Sequence, residues 1–250
     1  MTEPVESRRD EVWRRLARVA DPELDEPVTD LGFIRSVEIE AGGAVEIAFR
    51  LPTYWCAANF AFLMADDMRR EVGALPWVTR VSPRLLDHMY ADRINAGVAR
   101  GASFRQVFGA EIADETLEAL RAKFLRKAFQ RRQEAVLLAL IEAGRAPSEI
   151  VALDLARLEA LALPTPDWPM QRRRYLEMRH RLAQAPPADT EPAFVDLDGA
   201  PLSDDRFEAH LQMLRSVRLN MEFNGALCRG LLAVREEPTE QREAQSRETT

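Results

Sequence analysis

Cys56 sits in a stretch, Leu51-Pro52-Thr53-Tyr54-Trp55-Cys56, that lies where two periodicities meet. Before it, Val45, Ile47, Phe49 and Leu51 alternate with other residues, as on one face of a half-buried strand. After it, Phe60, Leu63, Met64, Met68 and Val72 recur at three- and four-residue steps, as on a helix. The cysteine therefore belongs to a strand-to-helix junction, at or near the helix N-terminus. Free N–H groups and the positive end of the helix dipole gather there, and both favour a thiolate. A thiolate can bind a metal or attack an electrophile. The competing reading is a small buried hydrophobe, because free cysteine is among the most buried residue types.

A second group that could do chemistry precedes it. Residues 21 to 32, DPELDEPVTDLG, place Asp21, Glu23, Asp25, Glu26 and Asp30 in one short loop. Such a loop is either a set of solvated Asx-type turns or an acidic rim for a metal or a basic partner. The spacing does not follow a calcium loop, which excludes an EF-hand. Elsewhere the candidates thin out. His88 is a lone histidine, read first as structural and second as a ligand. Glu177 and His180 stand at the Glu-x-x-His spacing of di-iron bundles, but the second copy such a site requires is missing, and a solvated helix-surface pair is expected. Cys228 reads as a core residue of a helix pair.

The elements that must position these groups follow from periodicity and breakers. Residues 1 to 7 show no pattern, and Val12, Leu16 and Val19 make an amphipathic helix that stops at Asp21-Pro22. A strand over 33–40, a glycine turn at Ala41-Gly42-Gly43 and the strand leading to Cys56 form a hairpin. A helix runs to about Gly73, and Pro76 to Val81 reads as a third short strand ended by Pro83. The fold class is α+β: a small N-terminal α/β sandwich of helix, β-hairpin, helix and strand, over residues 8–86, followed by an all-α C-terminal domain. Residues 87–110, punctuated by Gly97, Gly101 and Gly109, read as a connector, 111–235 as the helical domain and 236–250 as a disordered tail. Within the helical domain, breaks are expected near Gly144, over 164–169, over 185–189 and near Asn224-Gly225.

Composition sets the outer limits. The 250 residues are 46% hydrophobic and 30% charged, a globular balance, with a net charge of −7 that argues against general nucleic-acid binding. The basic helix around 121 to 132 is accordingly read as a solvated or acid-binding face. No apolar run approaches a membrane span, the first residues lack a signal peptide's apolar core, and two well-separated cysteines make no disulfide framework, so a cytoplasmic protein is expected.

Four features in order now give a resemblance. Asp21-Pro22-Glu23-Leu24 after the first helix, Asp30-Leu31-Gly32 before the first strand, the hairpin, and a cysteine after the second strand make residues 8–86 similar to the SufT/PaaD-like iron–sulfur assembly domain. Family members usually carry Thr-Thr-Pro-Gly-Cys-Pro at that cysteine. Thr53 and Cys56 match, whereas Tyr54-Trp55 replace the Pro-Gly turn and Ala57 the following proline. The resemblance implies a maturation factor, not an enzyme, in which Cys56 is the metal-handling side chain and Asp21, Glu23, Asp30 and Thr53 are the other functional residues. It implies a transient iron–sulfur cluster or iron with no permanently bound cofactor, and a client metalloprotein as partner. One cysteine cannot complete a cluster's coordination, so a homodimer or the client must supply further ligands. Two alternatives stand beside this reading. One is a docking accessory for a metal-dependent oxygenase or its assembly complex, with Cys56 structural. The other is a thiol enzyme, which needs a base such as His88 near Cys56.

Overall fold

In the computed structural model, which describes residues 5–109, 117–183 and 185–236, the alternating run over 44–51 forms the middle strand of a small sheet. That strand, β4 (Ala44–Arg50), turns Val45, Ile47 and Phe49 into the core. It pairs antiparallel with β3 (Ile34–Ile39), in a register running from Ile39 opposite Val45 to Ile34 opposite Phe49, with an irregularity between Ile34 and Ser36. The hairpin turn requires glycine at Gly43, which has φ +81 and whose added Cβ would strike the Trp77 carbonyl oxygen.

On the other side, β4 pairs in parallel with β5 (Arg80–Leu86), so that α2 (Ala58–Gly73) is the crossover of a βαβ unit. The expectation of a strand ended by Pro83 is corrected here. Pro83 lies inside β5, opposite Ile47. The order β3-β4-β5 makes β5 an edge strand, and a proline without an N–H is tolerated on an edge. Helix α1 (Val5–Leu16) also begins earlier than the sequence pattern suggests, because the polar residues Glu6 to Arg9 extend it. A two-residue ladder of β1 (Ala20–Asp21) and β2 (Glu26–Pro27) ties off the acidic loop.

The chain divides into two compact units, residues 1–120 with 224–250, and residues 121–223. The connector reading of 87–110 does not hold. Helices α3 (Ala91–Ala99) and α4 (Phe104–Phe108) place Ile94, Val98, Phe104, Val107 and Phe108 in the core of the first unit. Ser103 starts α4 with a capping box shared with Gln106. The helical region is also not one domain ending at 235, since its last stretch belongs to the first unit. The tail beyond 236 and residues 110–116 lie outside the described residues.

The second unit is built by most of α5 (Leu117–Glu142), by α6 (Pro147–Val151), α7 (Leu155–Ala160) and α8 (Trp168–Leu182), and by the first part of α9 (Phe207–Glu236). Between the breaks expected near Gly144 and over 164–169 the chain forms two helices, α6 and α7, because Asp154 leaves helical geometry to cap α7 and accepts from the Arg157 N–H at 2.7 Å. The break expected near Asn224-Gly225 is absent, and α9 runs straight through. One glycine costs about 1 kcal/mol in a helix interior. Burial of Met221 and Leu232 on either side of it outweighs that cost. Among the described residues no helix is long and apolar enough to cross a membrane.

Candidate functional site

The βαβ crossover delivers Cys56 to the end of the sheet. Strand β4 stops at Arg50, Leu51 and Pro52 remain buried, and the chain then turns outward. Tyr54 and Trp55, 53% and 72% exposed, form the tip. Cys56 follows, half-buried against the apolar core, and Ala57 opens α2 without a side-chain cap. The Thr53 hydroxyl lies 3.0 Å from the Cys56 sulfur.

Two separate segments fix this loop. His88 Nε2 contacts the Cys56 carbonyl at 2.8 Å, while its Nδ1 accepts from the Tyr90 N–H at 3.1 Å. A carbonyl only accepts, so the ring must be the neutral Nε2–H tautomer. Burial, with Arg235 nearby, pushes the His88 pKa down, consistent with that neutral form. The Met89 N–H donates to the Tyr54 carbonyl at 2.9 Å. Arg235, near the end of α9, donates to the carbonyls of Leu51 at 2.8 Å and Asp87 at 3.0 Å, and Asp87 in turn pairs with Arg50 at 2.8 Å. Both ring nitrogens of His88 are therefore occupied by backbone. It is a clamp on the cysteine loop, neither a free ligand nor a base for the thiol.

The acidic loop splits by role. Asp21 is buried, and its Oδ1 accepts from the N–H groups of Glu23 and Leu24, both at 2.9 Å, which is an Asx-type turn. Burial drives its pKa up to about 6 against those two hydrogen bonds. Glu23 accepts from the Asn224 amide at 3.3 Å, and Glu26 pairs with Arg229 at 2.7 Å, so the loop is docked on the final stretch of α9. Asp30 is exposed and accepts from the Thr29 hydroxyl at 3.1 Å.

Cys228, expected as a core residue, packs against the apolar core. It is far from Cys56 along the chain and reads as core, yet α9 carries it to the same unit, half-buried against the same apolar cluster. Burial, then the charges of Asp21, Cys56 and Glu23, push its pKa up to about 11. The only signal in the sequence was Cys228 itself, since no local pattern encodes docking of a distant helix. Glu177 and His180 are exposed, with His180 bonded to the Leu176 carbonyl of its own helix at 2.7 Å and Glu177 paired with Arg173 at 3.8 Å. Among the described residues there is no group of three or more His, Cys, Asp or Glu that could hold a metal ion.

Residues 9–82 match the family model described as "Iron-sulfur cluster assembly protein". The N-terminal region is an iron–sulfur cluster assembly domain. A segment of 41 residues is 44% identical to the iron-sulfur cluster carrier protein of Mycobacterium leprae (strain TN), over 16% of this chain and 11% of that protein. The chain thus shares only a small part of that relative's length. No solved structure matches the chain. The assembly domain holds Asp21, Glu23, Asp30, Thr53 and Cys56 within its matched span, whereas His88, Cys228 and Arg235 lie outside it.

Proposed function

We propose that this protein is a non-catalytic maturation factor that takes iron or an iron–sulfur cluster as cargo on the Cys56 sulfur and surrenders it to a client metalloprotein. The observation that carries this reading is a half-exposed thiol on a fixed loop of an iron–sulfur assembly domain, with the Thr53 hydroxyl 3.0 Å from its sulfur. Sulfur suits iron and iron–sulfur clusters as a soft donor, and the thiol loses its proton as the metal bond forms. Transfer is then ligand exchange, with no change of oxidation state required of the protein. Cys56 alone cannot complete a cluster's coordination, so the acceptor or a second copy supplies the remaining ligands.

A docking accessory that does no metal chemistry is the second reading. It draws on Tyr54 and Trp55, large exposed aromatics of the kind that anchor protein interfaces. Cys56→Ser separates the two. Metal content of the client produced beside this variant should fall to background while the variant folds normally. Full client metal content would leave docking as the function.

A further inference from the structure

We infer that Cys228 is the second sulfur ligand of the Cys56 site, so that one chain offers a pair of thiolates to iron or to an iron–sulfur cluster. This rests on the carrier reading above and extends it to a residue outside the assembly domain.

Placement carries the inference. On α9, Met221, Gly225 and Leu232 are buried and Asn224, Cys228 and Arg235 half-buried, a stripe at helical spacing that packs inward. Within that stripe Asn224 bonds Glu23 of the acidic loop, and Arg235 bonds the Leu51 carbonyl at the root of the cysteine loop. Cys228 stands between these two anchors, one turn from Asn224 and two turns from Arg235. It is close enough to Cys56, Asp21 and Glu23 for their charges to act on it.

The chemistry of that spot favours a cation. Asp21, Cys56 and Glu23 all act on Cys228 as negative charges, and Arg229, which opposes them there, is already paired with Glu26. A purely structural residue gains little from a half-exposed position beside Asn224 and Glu23, where a larger hydrophobe would bury more area. On binding, each thiol gives up one proton as its sulfur bonds the metal, and no electrons move. Two thiolates make half of a cluster's usual four, so a second copy or the client supplies the rest.

Cobalt(II) is the probe, because sulfur-to-cobalt charge transfer in the near ultraviolet grows with the number of thiolates bound. The full chain is titrated anaerobically as wild type, Cys56→Ser, Cys228→Ser, Cys228→Ala and the double serine variant, each checked by thermal unfolding. The wild type should show the band. Each folded single variant should lose about half of its intensity and bind on the order of tenfold more weakly, and the double variant should show none. The wild type also serves without any variant, since bound cobalt should protect both cysteines from alkylation, read by mass spectrometry. A wild-type band and affinity in Cys228→Ala, or protection of Cys56 alone, overturns the pair and leaves Cys56 as the carrier. A wild type without a charge-transfer band overturns the pair as well, and client metal content then judges the carrier reading separately.

Discussion

The two units of this chain dispose of their polar groups in opposite ways. In the sheet-bearing unit the core is apolar, from Val12 and Leu16 through Ile47, Phe49 and Met64 to Phe108. At the end of its sheet, His88 and Arg235 hold the loop of Cys56. In the helical unit one set of polar groups is buried in the middle and hydrogen-bonded together. Gln133 donates to the Tyr175 hydroxyl at 3.2 Å and to the Val195 carbonyl at 2.8 Å, and accepts from His210 at 2.6 Å. The Tyr175 hydroxyl donates to the Ala193 carbonyl at 2.7 Å, and burial raises its pKa. Glu134 is held by Arg218 at 2.9 Å. A closed network specifies packing and offers nothing to a ligand. A fixed loop with a half-exposed thiol and two exposed aromatics presents reactive groups at a surface. On the proposed function, the chemistry belongs to the first unit, and the centre of the second holds packing together.

The comparison breaks most visibly at Glu134. Arg218→Ala removes the partner of a carboxylate that is 1% exposed, and should cost about 3 kcal/mol. Urea unfolding checks this, and a loss under 1 kcal/mol would mean that the network is not holding the helical unit together.

His88 is the corresponding test in the first unit. His88→Ala leaves the Cys56 carbonyl and the Tyr90 N–H without their partner, at about 2 kcal/mol. It should also speed alkylation of Cys56 several-fold by freeing the loop. The histidine's lowered folded pKa has a definite sign. Its contribution is complete above the unfolded value of 6.5 and is lost as pH falls below it toward the folded pKa, because the unfolded state then binds the extra proton. Melting temperatures across pH 5 to 7.5 should therefore rise with pH more steeply in the wild type than in the variant.

A gain is expected at Asp21. Its pKa of about 6, raised from 3.8, means that stability falls as pH rises through that window, since the folded state holds the proton longer. Asp21→Asn keeps an oxygen to accept from Glu23 and Leu24 while removing the buried charge. It should stabilise the protein by about 1 to 2 kcal/mol at pH 7 and flatten the decline between pH 4 and 6. An equal loss of stability in the Asn variant would show that the carboxylate charge is used in the free protein.

Trp55→Ala should change stability least, by less than about 0.5 kcal/mol, because the side chain is already in solvent. Its expected effect is on capture of the client in a pull-down. Undiminished capture would remove the aromatic tip from the docking surface.

Much of the sheet-bearing unit was legible because period-two and helical patterns abut at Cys56, and because the Gly42-Gly43 turn admits few alternatives. The errors came where tertiary context outvoted a local rule. Pro83 sits within a strand because that strand is an edge, and Gly225 stays in a helix because buried neighbours hold it there. Residues 87–110 looked like a connector because their glycines mask two short helices, although Ile94 and Phe104 are core. At the site, Cys56 and Thr53 could be picked out by type and position. The clamp by His88 and Arg235, and the arrival of Cys228, could not, because each depends on segments that meet only in three dimensions.

The central claim is that Cys56 is the sulfur through which this protein holds its cargo. Purified wild type and Cys56→Ser, matched for thermal unfolding, can be reconstituted anaerobically with ferrous iron and sulfide and then assayed for iron and acid-labile sulfide per chain. The wild type should retain both after desalting, and Cys56→Ser should retain at most a tenth as much with its melting temperature unchanged. Equal iron and sulfide in the two proteins would contradict the account.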